Sequence, residues 1–371
     1  MAKALDTTAP TLFQILPSTL PTGLARLAAE AEPAGAGHEI EFKSLEARSI
    51  LNKTVSKRQL SLSWSINPYR GCEFACRYCY ARYTHEFLEP AGATEPSDSN
   101  AEKSEYRPQS WATAFERRIF LKQHAAWLLE QDLHRVGPNE EIALGTATDP
   151  YQPVERRAQI TRSLLEVLAR KQGHRIGIVT KSNLITRDID LLQQIAAQNT
   201  LVLHITITTT DTDLARLLEP RAPRPDLRFQ AVTKLREAGL ITGILCSPLL
   251  PGITDTAEAL DRTATRAAYA RASFFAASPL FLKQCSRPTY LSFVREHFPH
   301  LLPLYEEHFR TTDFAPQPYR DHMATLVREA CHRHHLPERS TDAILTPAPS
   351  QNQGRKPPLP MHPSAQQRLF A

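Results

Sequence analysis

No apolar run in the 371-residue chain is long enough to cross a bilayer as a helix, which excludes a helical membrane span. The N-terminus has no basic stretch followed by an apolar block, so no secretory signal is expected. Cysteine is scarce: six in all, half of them within one octapeptide. That excludes a disulfide scaffold and implies a reducing, cytoplasmic setting. No internal repeat is evident, which argues against a repeat architecture. Charge is nearly balanced, at net +5. This permits a polyanionic partner without requiring one. What is present is a 42% hydrophobic content, enough for a real core, in a chain that fits one large or two ordinary domains.

Composition divides the chain. Residues 1–40 mix Ala, Pro, Thr and Gly without periodicity and read as a disordered lead-in. Residues 89–108 are polar, acidic and Pro-containing, as in a flexible surface insert. Residues 337–371 are Pro-rich and read as a disordered tail, preceded by a helical extension over 301–336. Between 41 and 300, short apolar or β-branched runs at 62–67, 141–145, 175–180, 201–208, 241–247 and 273–277 predict strands. Helices are predicted at 111–134, 154–172, 186–197, 225–238 and 255–270, with Gly173 and Gly239 placed as stops. This alternation predicts an α/β fold with a parallel sheet, an open or partial (β/α)6 barrel. Chemistry in such folds sits at the carboxyl ends of the strands. Polar clusters fall there: 72–79, 146–151, 181–183, 208–211 and 248–255.

The first of these clusters is Arg70-Gly71-Cys72-Glu73-Phe74-Ala75-Cys76-Arg77-Tyr78-Cys79-Tyr80. Its C-x3-C-x2-C spacing offers three soft thiolates on one tight loop and no obvious fourth ligand. Buried structural cysteines rarely fall three within eight residues. A zinc site needs a fourth ligand, for which His85 is the nearest candidate, and zinc ligands usually come as two pairs. An ordinary electron-transfer cluster wants four cysteines, and Cys246, Cys285 and Cys331 are scattered. The remaining reading is a [4Fe–4S] cluster with one open iron, available to a substrate or cosubstrate.

This motif, with an aromatic before its last cysteine and a strand before its first, resembles that of the radical SAM superfamily. The runs 66–72, 145–155, 217–223 and 247–255 further resemble the group related to spore photoproduct lyase, described as DNA repair photolyase-like, across residues 42–298. The resemblance implies a [4Fe–4S] cluster on Cys72, Cys76 and Cys79, with S-adenosylmethionine (SAM) on the open iron. It implies reductive cleavage of SAM, hydrogen abstraction from a substrate, and an electron donor such as flavodoxin or ferredoxin.

It also implies cofactor-binding roles. Tyr78 would lie against the adenine. The Gly-Gly-Glu common after the second strand is replaced by Gly145-Thr146-Ala147-Thr148-Asp149, where Thr148 and Asp149 offer acceptors for the SAM ammonium, although Asp149-Pro150 equally suits a turn. Lys181 is placed for the SAM carboxylate. Thr206 and Thr208 share one face of a strand, and Arg221 suits a carboxylate or phosphate. Damaged pyrimidine DNA is the implied substrate, with RNA, peptide or small-molecule substrates, or a non-catalytic cluster-bearing sensor, as alternatives. Lyase chemistry of that kind uses a cysteine hydrogen donor; Cys246 and Cys285 are the candidates, and a core hydrophobe is the other reading. Finally, Gln366-Gln367-Arg368-Leu369-Phe370 resembles the peptides that dock on bacterial sliding clamps.

Overall fold

Long stretches of uninterrupted burial betray the central strands: every residue from Leu201 to Thr206 is buried, as expected of a parallel strand covered on both faces. The computed structural model describes residues 23–31, 33–36, 40–53, 62–88, 110–138 and 140–339. Its strands are β1 (Pro33–Ala36), β2 (Glu41–Leu45), β3 (Leu51–Lys53), β4 (Leu62–Ile66), β5 (Tyr69–Arg70), β6 (Arg118–Lys122), β7 (Glu141–Leu144), β8 (Arg175–Thr180), β9 (Thr200–Thr206), β10 (Thr242–Leu249) and β11 (Phe275–Pro279). Its helices are α1 (Gly23–Ala29), α2 (Ser110–Ala114), α3 (Ala125–Asp132), α4 (Glu155–Ala158), α5 (Ile160–Ala169), α6 (Ile189–Gln198), α7 (Thr212–Leu218), α8 (Pro225–Glu237), α9 (Ala257–Tyr269), α10 (Arg287–His297), α11 (Leu302–His308) and α12 (Gln317–Arg333).

The main sheet runs β11-β10-β9-β8-β7-β4-β3. The pairs from β4 through β11 are parallel, and β3 adds an antiparallel edge. These six parallel strands with helical crossovers are the partial (β/α)6 barrel expected from the pattern. The core lies between sheet and helices, where Ile142, Ile178, Leu203 and Ile244 pack against Leu164, Leu192, Val232 and Leu260. Local chemistry sets the helix ends. Pro225 opens α8, the Thr256 hydroxyl accepts from Ala259 N at 3.1 Å to cap α9, and Gly239 closes α8 at φ +81°. Among the described residues no helix is long and apolar enough to cross a membrane.

A smaller sheet of order β1-β2-β6-β5 flanks the cysteine loop. It corrects one expectation. The stretch 111–134 is not one helix: Arg118–Lys122 is a strand, parallel to β2 and antiparallel to β5. Two partner edges outweigh its helical spacing, and His124 turns into the left-handed region (φ 55°) before α3. The helix expected at 154–172 is also broken, at Gln159 (φ 51°). The buried Glu155 carboxylate there accepts from Thr161 N (2.9 Å) and Arg162 N (3.2 Å), capping α5 from inside α4.

Two boundaries also shift. Within the lead-in expected to be disordered, α1 packs Ala28, Leu24 and Leu27 on Leu45, Leu88 and Phe120. At the other end the described chain passes Pro337 to Arg339: Phe275 N donates to Pro337 O (3.0 Å), and Glu338 bridges to Phe275. The insert 89–108 and the segment 366–370 lie outside the described residues.

Candidate functional site

The cysteine loop leaves β5 through Gly71, where only glycine fits. Its φ is +81°, and a Cβ there would sit 2.8 Å from the Arg118 and Phe115 carbonyl oxygens. Cys72 N donates to that Phe115 carbonyl (3.0 Å) and Arg77 N to Leu218 O (2.9 Å). Buried side chains hold the rest. Thr148 Oγ1 donates to Gly71 O (2.6 Å), Gln152 Oε1 accepts from Glu73 N (2.9 Å), and Glu73 Oε1 accepts from Val154 N (2.6 Å). Arg82, fully buried, donates to Cys76 O (3.2 Å) and Ala112 O (2.7 Å) and pairs with Glu116 (2.6 Å). Ser286 Oγ donates to Cys79 O (2.7 Å).

Cys72, Cys76 and Cys79 line one cavity at the carboxyl end of the parallel strands, with about 1400 Å³ of empty space counting its open mouth. Phe74, Tyr80, Phe115 and Phe281 make its apolar wall, and Thr148, Asp149, Thr180, Lys181, Thr206 and Ser247 its polar side. Burial pushes all three thiols up, Cys76 to about 12. Backbone N–H groups at Phe74 and Ala81 offset this in part for Cys72 and Cys79. A bound metal centre is the missing positive charge that would favour the thiolates.

The placements of the expected site residues differ from one another. Asp149 lines the cavity, but Thr180 Oγ1 (2.6 Å), Lys181 N (2.8 Å) and Tyr151 N (2.9 Å) already donate to its carboxylate. Burial nevertheless raises its pKa. It is both a turn residue and a clamp between β7 and β8. Thr148 is likewise committed to the loop through Gly71. Lys181 is half-buried with its Nζ 5.7 Å from the Tyr78 ring centroid. Burial alone would lower its pKa, but Cys76 in its thiolate form and Glu219 outweigh this and raise it. Thr206 faces the cavity.

Three of the expected residues lie outside the cavity lining. Thr208 does not line the cavity; its hydroxyl is turned to Glu219 Oε1 (2.9 Å) and Ser247 O (3.3 Å). Arg221 sits behind the loop and donates to Glu73 O (3.3 Å) and Glu116 O (3.1 Å), which braces the loop. Cys246 points away from the cavity into the main core, with Sγ 3.7 Å from Thr208 O, and burial lifts its pKa to about 12. The zinc alternative fares no better: His85 Nε2 bonds Arg118 O (3.0 Å) and its ring packs edge-on to Phe115. Among the described residues no three His, Cys, Asp or Glu side chains are gathered as ligands of one metal ion.

Composition could not show the buried network under Tyr78. Its hydroxyl bonds Glu219 Oε1 and lies 3.0 Å from Thr208 Oγ1. Glu219 Oε2 pairs with Arg228 Nη2 at 2.5 Å, with both side chains 1% exposed. Arg228 in turn donates to Thr206 O (3.1 Å) and Pro223 O (2.7 Å). Burial alone would raise Glu219, yet Arg228 and Lys181 hold it below the ordinary carboxylate range.

Comparison with known proteins agrees with this geometry. The family model of the radical SAM superfamily matches residues 66–264. The chain is 31% identical over 317 residues to the uncharacterized protein Rv2578c of Mycobacterium tuberculosis, covering 83% of this chain and 87% of that one. The chain belongs to the radical SAM superfamily. A further relative, the uncharacterized protein MJ0683 of Methanocaldococcus jannaschii, is 25% identical over 225 residues, 61% of this chain and 74% of that one. Among solved structures, a spore photoproduct lyase variant with bound AdoMet and dinucleoside spore photoproduct aligns with a TM-score of 0.55 at 13% identity, covering 79% of both chains. That likeness is one of fold. Membership implies a [4Fe–4S] cluster and SAM, and three thiols on one cavity wall beside a lysine are a donor set that fits them.

Proposed function

We propose that this radical SAM protein is an enzyme whose Cys72, Cys76 and Cys79 hold a [4Fe–4S] cluster and whose cavity takes SAM beside it. The convergence of these thiols with Lys181 and Thr206 on one cavity carries the reading. Once loaded and reduced, such a cluster would supply the electron for reductive cleavage of SAM and so the hydrogen-abstracting chemistry of the family. The residues of the chain position and shield. Lys181 offers a cation to the methionine carboxylate. Asp149, by holding Thr180 Oγ1 and Lys181 N, fixes the strand end from which Lys181 projects. Glu219 anchors Tyr78 between the second and third cysteines, and Tyr78 sets one wall of the cofactor cavity. Phe74, Phe115 and Phe281 keep water from the reacting atoms.

Damaged pyrimidine DNA is the substrate class this reading favours, supported by the lyase-like fold. The cytoplasm, with a flavodoxin or ferredoxin as donor, is the setting it requires. Cys246, on β10 with its side chain in the main core, is not carried forward as hydrogen donor. Product analysis on ultraviolet-damaged against undamaged DNA tests the substrate. Loss of a pyrimidine photoproduct dependent on SAM and reductant supports it, and equal recovery of the lesion from damaged DNA with and without SAM and reductant refutes it. Formation of 5′-deoxyadenosine separates an enzyme from a sensor that binds a cluster without turnover.

A further inference from the structure

The cavity does not end beneath the cysteine loop. Small inward residues on alternate strand positions hollow the sheet from top to bottom: Ala143 and Gly145 on and after β7, Gly177 on β8, Thr206 on β9. Deeper than these the lining changes character, from Glu141 at the start of β7 to His204, two residues before Thr206 on β9. Glu141, His204 and Arg339 form the floor of the same cavity.

Arg339 enters this floor from the segment that follows α12, secured by the bridge from Glu338 to Phe275. It is 7% exposed. Its one hydrogen-bond partner among the described residues is His204 Nε2, 3.1 Å from Nη2. Arg339 Nε and His204 Nδ1 are both buried without a hydrogen-bond partner among the described residues. The acid that faces the pair is Glu141, which is already bonded to Arg175 at 3.2 Å. Arg339 therefore has no ion pair of its own among the described residues. Burial and then Arg339 hold the His204 imidazole neutral, well below its ordinary pKa, so it accepts from Arg339 but carries no charge to balance it. A buried guanidinium with spare donors and no carboxylate of its own is costly to maintain by packing alone. An oxyanion arriving in the cavity would accept from its free edge in charge-assisted bonds.

We propose that Arg339 and His204 form an oxyanion-binding subsite at the floor of the barrel, which receives a phosphate or carboxylate group of the substrate. This rests on the reading of the cavity as the substrate cavity. Its test needs neither cluster nor turnover, so the two can fail separately. The full-length protein without cluster, with its histidines labelled with nitrogen-15, is titrated with inorganic phosphate and separately with acetate at constant ionic strength. Calorimetry reads affinity, and the His204 ring resonance, identified by its loss in His204→Gln, reads location. The expected result is saturable binding of at least one anion that moves the His204 resonance. Binding is weakened about tenfold or more in Arg339→Gln and less in Arg339→Lys. Tighter phosphate binding points to a phosphorylated substrate, and tighter acetate binding to a carboxylate. If Arg339→Gln does not fold, the wild-type titration decides alone. No saturable binding of either anion overturns the proposal. So does binding that leaves His204 unmoved, or equal affinity in the wild type and Arg339→Gln.

Discussion

Replacing Glu219 with Gln leaves Arg228 buried without its counter-ion. The pair is 2.5 Å apart, and both side chains are 1% exposed. Gln keeps the volume and an acceptor, and Arg228 retains the Thr206 and Pro223 carbonyls. The loss is therefore set at the low end of the range for breaking a buried pair, about 3 kcal/mol. At about 2 °C per kcal/mol for a chain of this size, Tm should fall by about 6 °C. Adding Arg228→Met removes the stranded charge and should recover part of the loss, giving a measurable coupling energy. The pH dependence has a definite sign. Glu219 titrates below its ordinary 4.5 in the folded protein. The stability it contributes is therefore complete above that value and is lost as pH falls through the depressed one. The gap in Tm between wild type and Glu219→Gln should be widest near neutrality and close on acidification. Thermal melts followed by circular dichroism read all of this. A shift under about 1 °C at neutral pH, or strictly additive effects of the two substitutions, would refute the reasoning.

Three further outcomes are expected. Gly71→Ala places a Cβ 2.8 Å from two carbonyl oxygens at a φ of +81°, and should cost about 2 kcal/mol or more in urea unfolding; a change within about 0.5 kcal/mol contradicts the close approach. Lys181→Met should weaken SAM binding to the reconstituted protein about ten- to a hundredfold while leaving cluster absorbance intact; unchanged affinity removes Lys181 from the SAM site. Purified sliding clamp should be retained by the full chain and lost with Leu369→Ala and Phe370→Ala; no retention by the intact chain ends the proposed clamp contact.

Much of the architecture was legible because each central strand is an apolar run bounded by Gly, Pro or charge. The expected strand at 175–180 coincides with β8, and the others match to within about two residues. The segment Arg118–Lys122 was not legible, because its strand state depends on edges supplied by β2 and β5, far away in sequence. The break at Gln159 is set by the Glu155 carboxylate, which helical spacing does not reveal. In the site, strand alternation could have excluded Cys246: Leu245 and Ser247 line the cavity, so the residue between them faces the helices. Parity put Thr206 and Thr208 on one face, but Thr208 lies past the end of β9, where Glu219 claims it. The partnership of Tyr78 with Glu219 spans 141 residues and has no local signature. Arg339 was hidden by the Pro-rich composition around it.

The central claim is that three cysteines on one cavity wall make a cluster that cleaves SAM. Protein reconstituted anaerobically with iron and sulfide is incubated with SAM and a strong reductant, and 5′-deoxyadenosine is quantified by chromatography. Wild-type protein should form it, while Cys76→Ala, lacking one ligand, should show neither the cluster absorbance nor the product. Intact SAM in the presence of a fully assembled wild-type cluster, or full activity in Cys76→Ala, would contradict the account.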